Sequence, residues 1–163
     1  MKLPVMIRGI EFANPVIAAS GTFGFGIEFQ TVARHLGGVV TKGVTVLPRE
    51  GNPPPRIAEV FGGIVNSVGL ENPGLELFKQ SFIPKLKKLG TRVIVNIAGF
   101  TIDEFLQLAE ALNIPEVDGI EINLSCPNVK AGGVNWGQKP RTVERVTSEV
   151  RKRTKKLLIV KLT

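Results

Sequence analysis

The chain has 163 residues, of which 43% are hydrophobic and 21% charged, values ordinary for a soluble globular domain with a real core. No apolar run approaches the ~18 residues of a membrane span, and residues 1–6 lack a signal peptide's apolar core. The single cysteine can form neither an internal disulfide nor a cysteine zinc site, so a cytoplasmic location is expected. The net charge of +7 is concentrated at residues 84–88 and 151–156. These runs read as solvated helix faces and C-terminal turns, and the nine Phe and one Trp do not interleave with them as an RNA-stacking surface would. Neither a nucleic-acid nor a membrane partner is expected.

Taken in order, residues 5–8 and 10–12 predict two short strands around Gly9, a hairpin signal. Asn14-Pro15 is a turn, and residues 16–19 form the first core strand. Apolar residues at 29, 32, 33 and 36 predict a helix over 27–36, stopped by Gly37-Gly38. Residues 38–42 are the second core strand. Residues 45–72 are rich in Pro and Gly and carry no helix signal. They read as a long excursion with antiparallel strands near 56–60 and 63–66, and long ordered loops are usually functional. A helix over 73–89 follows, with a kink expected at Pro84 and a stop at Gly90. Residues 92–96 are the third core strand. Thr101 and Glu104 form a capping box for a helix to about residue 112. Residues 119–123 are the fourth strand, 125–139 a Gly-rich loop, 140–155 a helix, and 157–161 the fifth strand.

This alternation implies right-handed crossovers and a parallel sheet covered by helices, either an open doubly wound sheet or part of a (β/α)8 barrel. A full barrel needs ~250 residues. The expected fold is therefore α/β, the N-terminal portion of a TIM barrel. It would hold five strands, four helices, an N-terminal hairpin and a β-containing excursion, as one partial domain over 1–163 with the C-terminal half of the barrel absent.

Polar residues close the proposed strands: Ser20, Lys42, Asn96, Asn123 and Lys161. In a parallel sheet these ends share one face. Ammonium groups there suit a carboxylate or an electron-rich ring edge, and carboxamides read imide N–H and C=O groups in both directions. Asn66, Asn72 and Asn128 add amides from loops. His35 stands alone, so no metal site is expected. The run Gly21-Thr-Phe-Gly-Phe-Gly26 lacks dinucleotide spacing and reads as a flexible loop. Cys126 lies between Ser125 and Pro127 in a polar loop rather than an apolar run. With no histidine placed to pair with it, proton abstraction suits this thiol better than acyl transfer.

These residues resemble dihydroorotate dehydrogenase. The resemblance runs through Ala19-Ser-Gly-Thr-Phe-Gly24, Thr41-Lys-Gly43, Asn66-Ser-Val-Gly-Leu-Glu-Asn-Pro-Gly74, Val95-Asn-Ile97, Ile122-Asn-Leu-Ser-Cys-Pro-Asn128 and Val160-Lys-Leu162, in order along the whole chain. That family is an FMN-containing (β/α)8 barrel that oxidises dihydroorotate to orotate in pyrimidine biosynthesis. The cysteine marks class 1, since the quinone-linked class has serine there. Phe23-Gly-Phe-Gly26 and Asn128-Val-Lys-Ala-Gly-Gly133 are similar to the NAD-linked class 1B catalytic subunit. That class works with an iron–sulfur flavoprotein subunit carrying FAD and a [2Fe–2S] cluster, which one cysteine cannot hold, and a homo-oligomer is expected.

The resemblance implies that Cys126 takes the C5 proton of dihydroorotate while hydride passes from C6 to FMN. It implies substrate contacts from Lys42, Asn66, Ser67, Val68, Gly69, Leu70, Asn123 and Asn128. Flavin contacts are implied for Ser20, Lys42, Gly43, Asn96, Asn123 and Lys161, and the loop from Cys126 to Trp136 is implied to be a lid. The flavin phosphate site of such barrels follows strands seven and eight. Residues 1–163 alone are thus expected to bind FMN weakly and turn over little. A dihydropyrimidine dehydrogenase-like barrel and an inactive half-barrel are the alternatives.

Overall fold

The computed structural model describes residues 3–125 and 134–162. It begins with a hairpin of β1 (Val5–Ile7) and β2 (Ile10–Phe12), paired Val5↔Phe12 and Ile7↔Ile10. Its two-residue turn, Arg8-Gly9, has φ of 46° and 82°. Positive φ at both positions is the turn geometry whose twist matches that of the flanking strands.

Five strands then form one parallel sheet: β3 (Ile17–Ala18), β4 (Gly38–Val40), β7 (Arg92–Ile97), β8 (Gly119–Asn123) and β9 (Leu157–Lys161). Between β4 and β7 lies the antiparallel pair β5 (Ile57–Val60) and β6 (Gly63–Asn66), where the excursion was expected to form strands. The order across the sheet is β3-β4-β7-β8-β9, which is chain order without reversal. A doubly wound sheet reverses order at its switch point; this one does not. Curvature decides the matter. In a flat sheet β3 and β9 would stand four strand spacings apart, ~19 Å. Instead Lys161 Nζ, at the end of β9, donates to Ser20 Oγ, just beyond β3, at 2.9 Å. The sheet is curled into part of a TIM barrel.

Alternation along the strands separates the two faces. Val93, Val95 and Ile97 of β7 and Ile120 and Ile122 of β8 pack outward among the helices with Phe105, Leu108, Val146 and Val150. The inner face holds a smaller cluster of Phe12, Val40, Ile94 and Leu157, flanked by Ile7, Ile10, Ile17 and Ile159. The hairpin thus places Phe12, fully buried, as an apolar plug at the N-terminal end of the sheet. A Cβ on Gly38 would lie 3.2 Å from the Phe12 ring, so the plug fits because that residue is glycine.

The first two helical segments differ from the sequence expectation. The helix expected over 27–36 is one turn, α1 (Gln30–Ala33). Glu28 explains the loss: its carboxylate turns back to accept from Phe25 N at 3.1 and 3.3 Å, and no side chain caps the turn. Gly21–Gly26, expected as a flexible loop, is a packed turn. Phe25 is buried against Phe78 and Phe82, and Gly24 O accepts from Lys42 N.

The helix expected over 73–89 is a continuous segment of α2 (Gly74–Leu77), a π-helical turn (Phe78–Phe82), α3 (Ile83–Leu86) and a 3-10 turn (Lys87–Leu89). The kink expected at Pro84 takes the form of that π turn. Pro84 has no N–H and its ring crowds the carbonyl four residues back, so the preceding turn widens. Gly90 ends the segment as expected, in a left-handed cap at φ 72°.

Of the remaining helices, α4 (Ile102–Ala111) is capped by Thr101, whose side chain accepts from Glu104 N at 3.2 Å. Glu104 reciprocates one residue earlier than the capping box requires, accepting from Phe100 N at 2.6 Å. A short helix, α5 (Val134–Gly137), lies in the region expected to be loop, and α6 (Pro140–Arg153) stops two residues before its expected end. Arg151 donates to the carbonyls of Thr154 and Lys156, while Lys152 and Arg153 pair with Glu149 and Glu110. The basic run therefore serves a helix C-terminus and its neighbours. Among the described residues no helix is long and apolar enough to cross a membrane.

Candidate active site

Above the apolar plug, the inner face turns polar. β7 presents Asn96, β8 presents Glu121 and Asn123, and β9 presents Lys161, at the register positions Asn96↔Glu121 and Asn123↔Lys161. Ser20 and Lys42 follow β3 and β4. Five expected strand-end residues therefore do meet at one end of the sheet, and three of them, Ser20, Asn96 and Asn123, are at least nine-tenths buried.

Four of the five, Ser20, Asn96, Asn123 and Lys161, are joined by hydrogen bonds. Ser20 Oγ accepts from Lys161 Nζ at 2.9 Å and from Asn96 Nδ2 at 3.3 Å. With both lone pairs engaged, its own hydrogen must be donated elsewhere. Asn96 Nδ2 also donates to Glu121 Oε1 at 2.5 Å, and Asn96 Oδ1 accepts from Asn123 Nδ2 at 3.2 Å. Asn123 Oδ1 in turn accepts from the backbone N and the Oγ of Ser125, at 3.2 and 3.1 Å. Gly43 lies against this cluster: a Cβ there would sit 2.9 Å from Asn96 Oδ1 and 3.2 Å from Leu70 Cδ2. The close approach of backbone and carboxamide requires glycine.

Lys42 is three-quarters buried, and its Nζ lies 3.4 Å from Glu71 Oε2. Glu71 is shared with Arg56, whose Nη1 is 2.9 Å from the same oxygen. Neither Glu71 nor Arg56 was singled out in the sequence, although Glu71 sits inside the Asn66–Gly74 motif. Of the five loop residues expected to touch substrate, Leu70 reaches the cluster through Gly43, at a backbone φ of 60°. Gly69 is buried, at φ 75°. Val68 O accepts from Asn52 N, and Ser67 accepts from Asn52 Nδ2 through both its carbonyl and its hydroxyl. Asn66 ends β6 and is exposed. Cys126 and Asn128 lie outside the described residues, as does the loop through Gly133.

Asn72, expected to offer its amide to a ligand, is instead a fastener. Its Oδ1 accepts from Thr45 N and Gly74 N, and its Nδ2 donates to Thr45 Oγ1 and Leu70 O. Both functional ends of the side chain are consumed in holding the excursion to the start of α2. Glu121, outside the strand-end pattern, is a further member of the cluster. Its signal was available: an acid at an inward register position, two residues before Asn123, in a strand otherwise apolar.

Downstream of Ser125 the chain returns to the same place. A Cβ on Gly137 would lie 2.4 Å from Leu124 O, and Trp136 meets the buried Phe105 ring edge-on, with centroids 6.1 Å apart. Residues 124 and 137 are therefore adjacent, and the intervening segment starts and finishes at the polar end of the sheet.

Comparison with known proteins places this arrangement. The family model for dihydroorotate dehydrogenase matches residues 2–163. The dihydroorotate dehydrogenase B (NAD(+)) catalytic subunits of Thermoanaerobacter pseudethanolicus and Caldicellulosiruptor saccharolyticus are 52% and 51% identical over 165 aligned residues, covering 100% of this chain and 55% of each relative. That of Geotalea uraniireducens is 48% identical, covering 99% of this chain and 54% of its own. A crystal structure of DHODH from Eimeria tenella in complex with ferulenol superposes with a TM-score of 0.79 at 24% identity, covering 99% of this chain and 52% of that one, a likeness of fold. The chain spans about half the length of the curated relatives it matches. It belongs to the dihydroorotate dehydrogenase family.

Proposed function

We propose that this chain supplies the N-terminal half of a flavin-dependent site that oxidises dihydroorotate to orotate in pyrimidine biosynthesis, within the NAD-linked class. The observation that carries the reading is the convergence of Ser20, Lys42, Asn96, Asn123 and Lys161 above a closed apolar plug. The donor set fits a flavin. Two ammonium groups suit an electron-rich ring edge, carboxamides suit an imide, and the Ser20 hydrogen is left to donate. FMN is the cofactor we assign, and when bound it accepts the hydride released from C6 of the substrate.

The protein's own groups do the rest. Lys42 holds the substrate carboxylate and meets the flavin edge, its position set by Glu71. Asn123, Asn128 and the segment Asn66, Ser67, Val68, Gly69 and Leu70 bind the substrate ring. Ser20, Gly43, Asn96, Asn123 and Lys161 bind the flavin. Cys126, as thiolate, removes the C5 proton, and the segment from Cys126 to Trp136 excludes water from it. The remainder of the family's barrel supplies the flavin phosphate site. The relatives' designation as catalytic subunits supports a second subunit, which we assign as an iron–sulfur flavoprotein with FAD and a [2Fe–2S] cluster, on a cytoplasmic homo-oligomer.

The test is an anaerobic titration of the full-length protein. Its visible absorption should show flavin, and dihydroorotate should bleach it stoichiometrically without NADPH. Absence of flavin, or bleaching by NADPH and not by dihydroorotate, overturns the proposal.

A further inference from the structure

The hydrogen bonds at the polar end of the sheet run in one direction, fixed at one end by the Glu121 carboxylate and at the other by the Ser125 N–H. We propose that Glu121 is a positioning residue whose acceptor-only carboxylate orients the carboxamides of Asn96 and Asn123, and through them holds Ser125 at the start of the segment that carries Cys126. The inference deepens the proposed function and rests on it for the role of Cys126; the chain of hydrogen bonds does not.

A carboxylate accepts and cannot donate. Asn96 therefore has to turn its NH2 toward Glu121, as it does at 2.5 Å. Its carbonyl oxygen then faces Asn123, which has to answer with NH2, at 3.2 Å. The Asn123 carbonyl oxygen is thereby left facing Ser125, and it takes both the backbone N–H and the hydroxyl there. A backbone N–H can only donate, so this last clasp exists in one orientation of Asn123 and is lost in the other. The other neighbour of Asn96 cannot set the direction. Ser20 is a hydroxyl, able to donate or accept, and it would adapt to a reversed Asn96.

Burial makes the lock effective. Glu121, Asn96 and Asn123 are 8%, 0% and 8% exposed, so a reversed amide finds little water to repair its contacts. β8 and β7 fix the geometry, because Asn96 and Glu121 are register partners on adjacent parallel strands. Ile120 and Ile122 are buried among the helices on the opposite face, which holds Glu121 inward.

Glu121→Gln tests the lock in the full-length, flavin-loaded protein. Glutamine keeps the size and the acceptor but adds a donor, so the Asn96 end of the chain is released and only the Ser125 N–H still holds Asn123 in its orientation. The expected results are a melting temperature close to that of the parent and a fall of about tenfold or more in anaerobic flavin reduction by dihydroorotate. The rate of Cys126 alkylation by iodoacetamide, followed by peptide mass spectrometry, should change as well. Ser125→Ala should alter the alkylation rate too, and the double variant should be non-additive with the singles although the two side chains do not touch. Glu121→Asp, which keeps the acceptor-only character, should recover most of the parental alkylation rate. Additive single effects overturn the proposal, as does Glu121→Asp behaving like Glu121→Gln. If the parent's flavin is not reduced by dihydroorotate, the proposed function fails, while the alkylation cycle still decides the lock.

Discussion

Asn72 separates a fastening role from a ligand role most sharply. It is 6% exposed, and its carboxamide serves Thr45 N at 3.1 Å, Gly74 N at 2.9 Å, Thr45 Oγ1 at 2.9 Å and Leu70 O at 2.7 Å. Asn72→Ala strands the two backbone N–H groups and the carbonyl together. Each buried group left without a partner costs about 1–3 kcal/mol, and water admitted to the small space left behind holds each near the lower limit. The sum is about 3 kcal/mol, which lowers Tm by ~5 °C in a protein of the relatives' full length, about twice that of this chain. Asn72→Asp keeps the two N–H acceptors and loses only donation, to Thr45 Oγ1 and Leu70 O, so it should fall between parent and alanine. Calorimetry or circular dichroism of the full-length protein reads this directly. An alanine variant that melts with the parent while losing affinity for dihydroorotate would refute the reasoning and return Asn72 to the binding site.

Phe105→Ala should destabilise by about 3–5 kcal/mol in chemical denaturation, because the ring is fully buried and also supports Trp136. Gly74→Ala should cost about 2 kcal/mol or more: φ is +77°, and the new Cβ would meet Pro48 N at 2.6 Å, a backbone atom with no freedom to move aside. Lys152→Ala tests surface electrostatics. The 2.6 Å hydrogen bond from Lys152 holds the Glu149 carboxyl below its ordinary value, with Arg145 and Arg153 adding to the same effect. A depressed folded-state value means a contribution present above the unfolded value and lost as pH falls through the folded one. Carboxyl carbon NMR of Lys152→Ala should show the Glu149 midpoint rising, with Tm at neutral pH almost unchanged because the pair is exposed.

Much of this protein is legible in its sequence. Apolar runs closed by Ser20, Lys42, Asn96, Asn123 and Lys161 located every core strand, because a parallel strand buried on both faces must be apolar until it reaches the solvent-facing end. What could not be read was local competition for hydrogen bonds. Glu28 has a helix-compatible position, yet its carboxylate finds Phe25 N and the helix shrinks to one turn. Asn72 looks like a ligand-reading amide until Thr45, 27 residues away, is seen to consume it. Glu121 is harder to read: a single acid between isoleucines resembles a surface position, and its partner becomes visible only once the register sets it opposite Asn96 on the adjacent strand. The partial barrel expected from the sequence is borne out by the contact between Lys161 and Ser20, which an open flat sheet would not allow.

The central claim of the proposed function is that Cys126 abstracts the proton from dihydroorotate. Stopped-flow reduction of the full-length enzyme's flavin by dihydroorotate, without oxygen, measures that step. Cys126→Ala should slow it by about 100-fold or more, the usual worth of a general base, with the flavin still bound. Reduction of the variant at the parental rate would contradict the account.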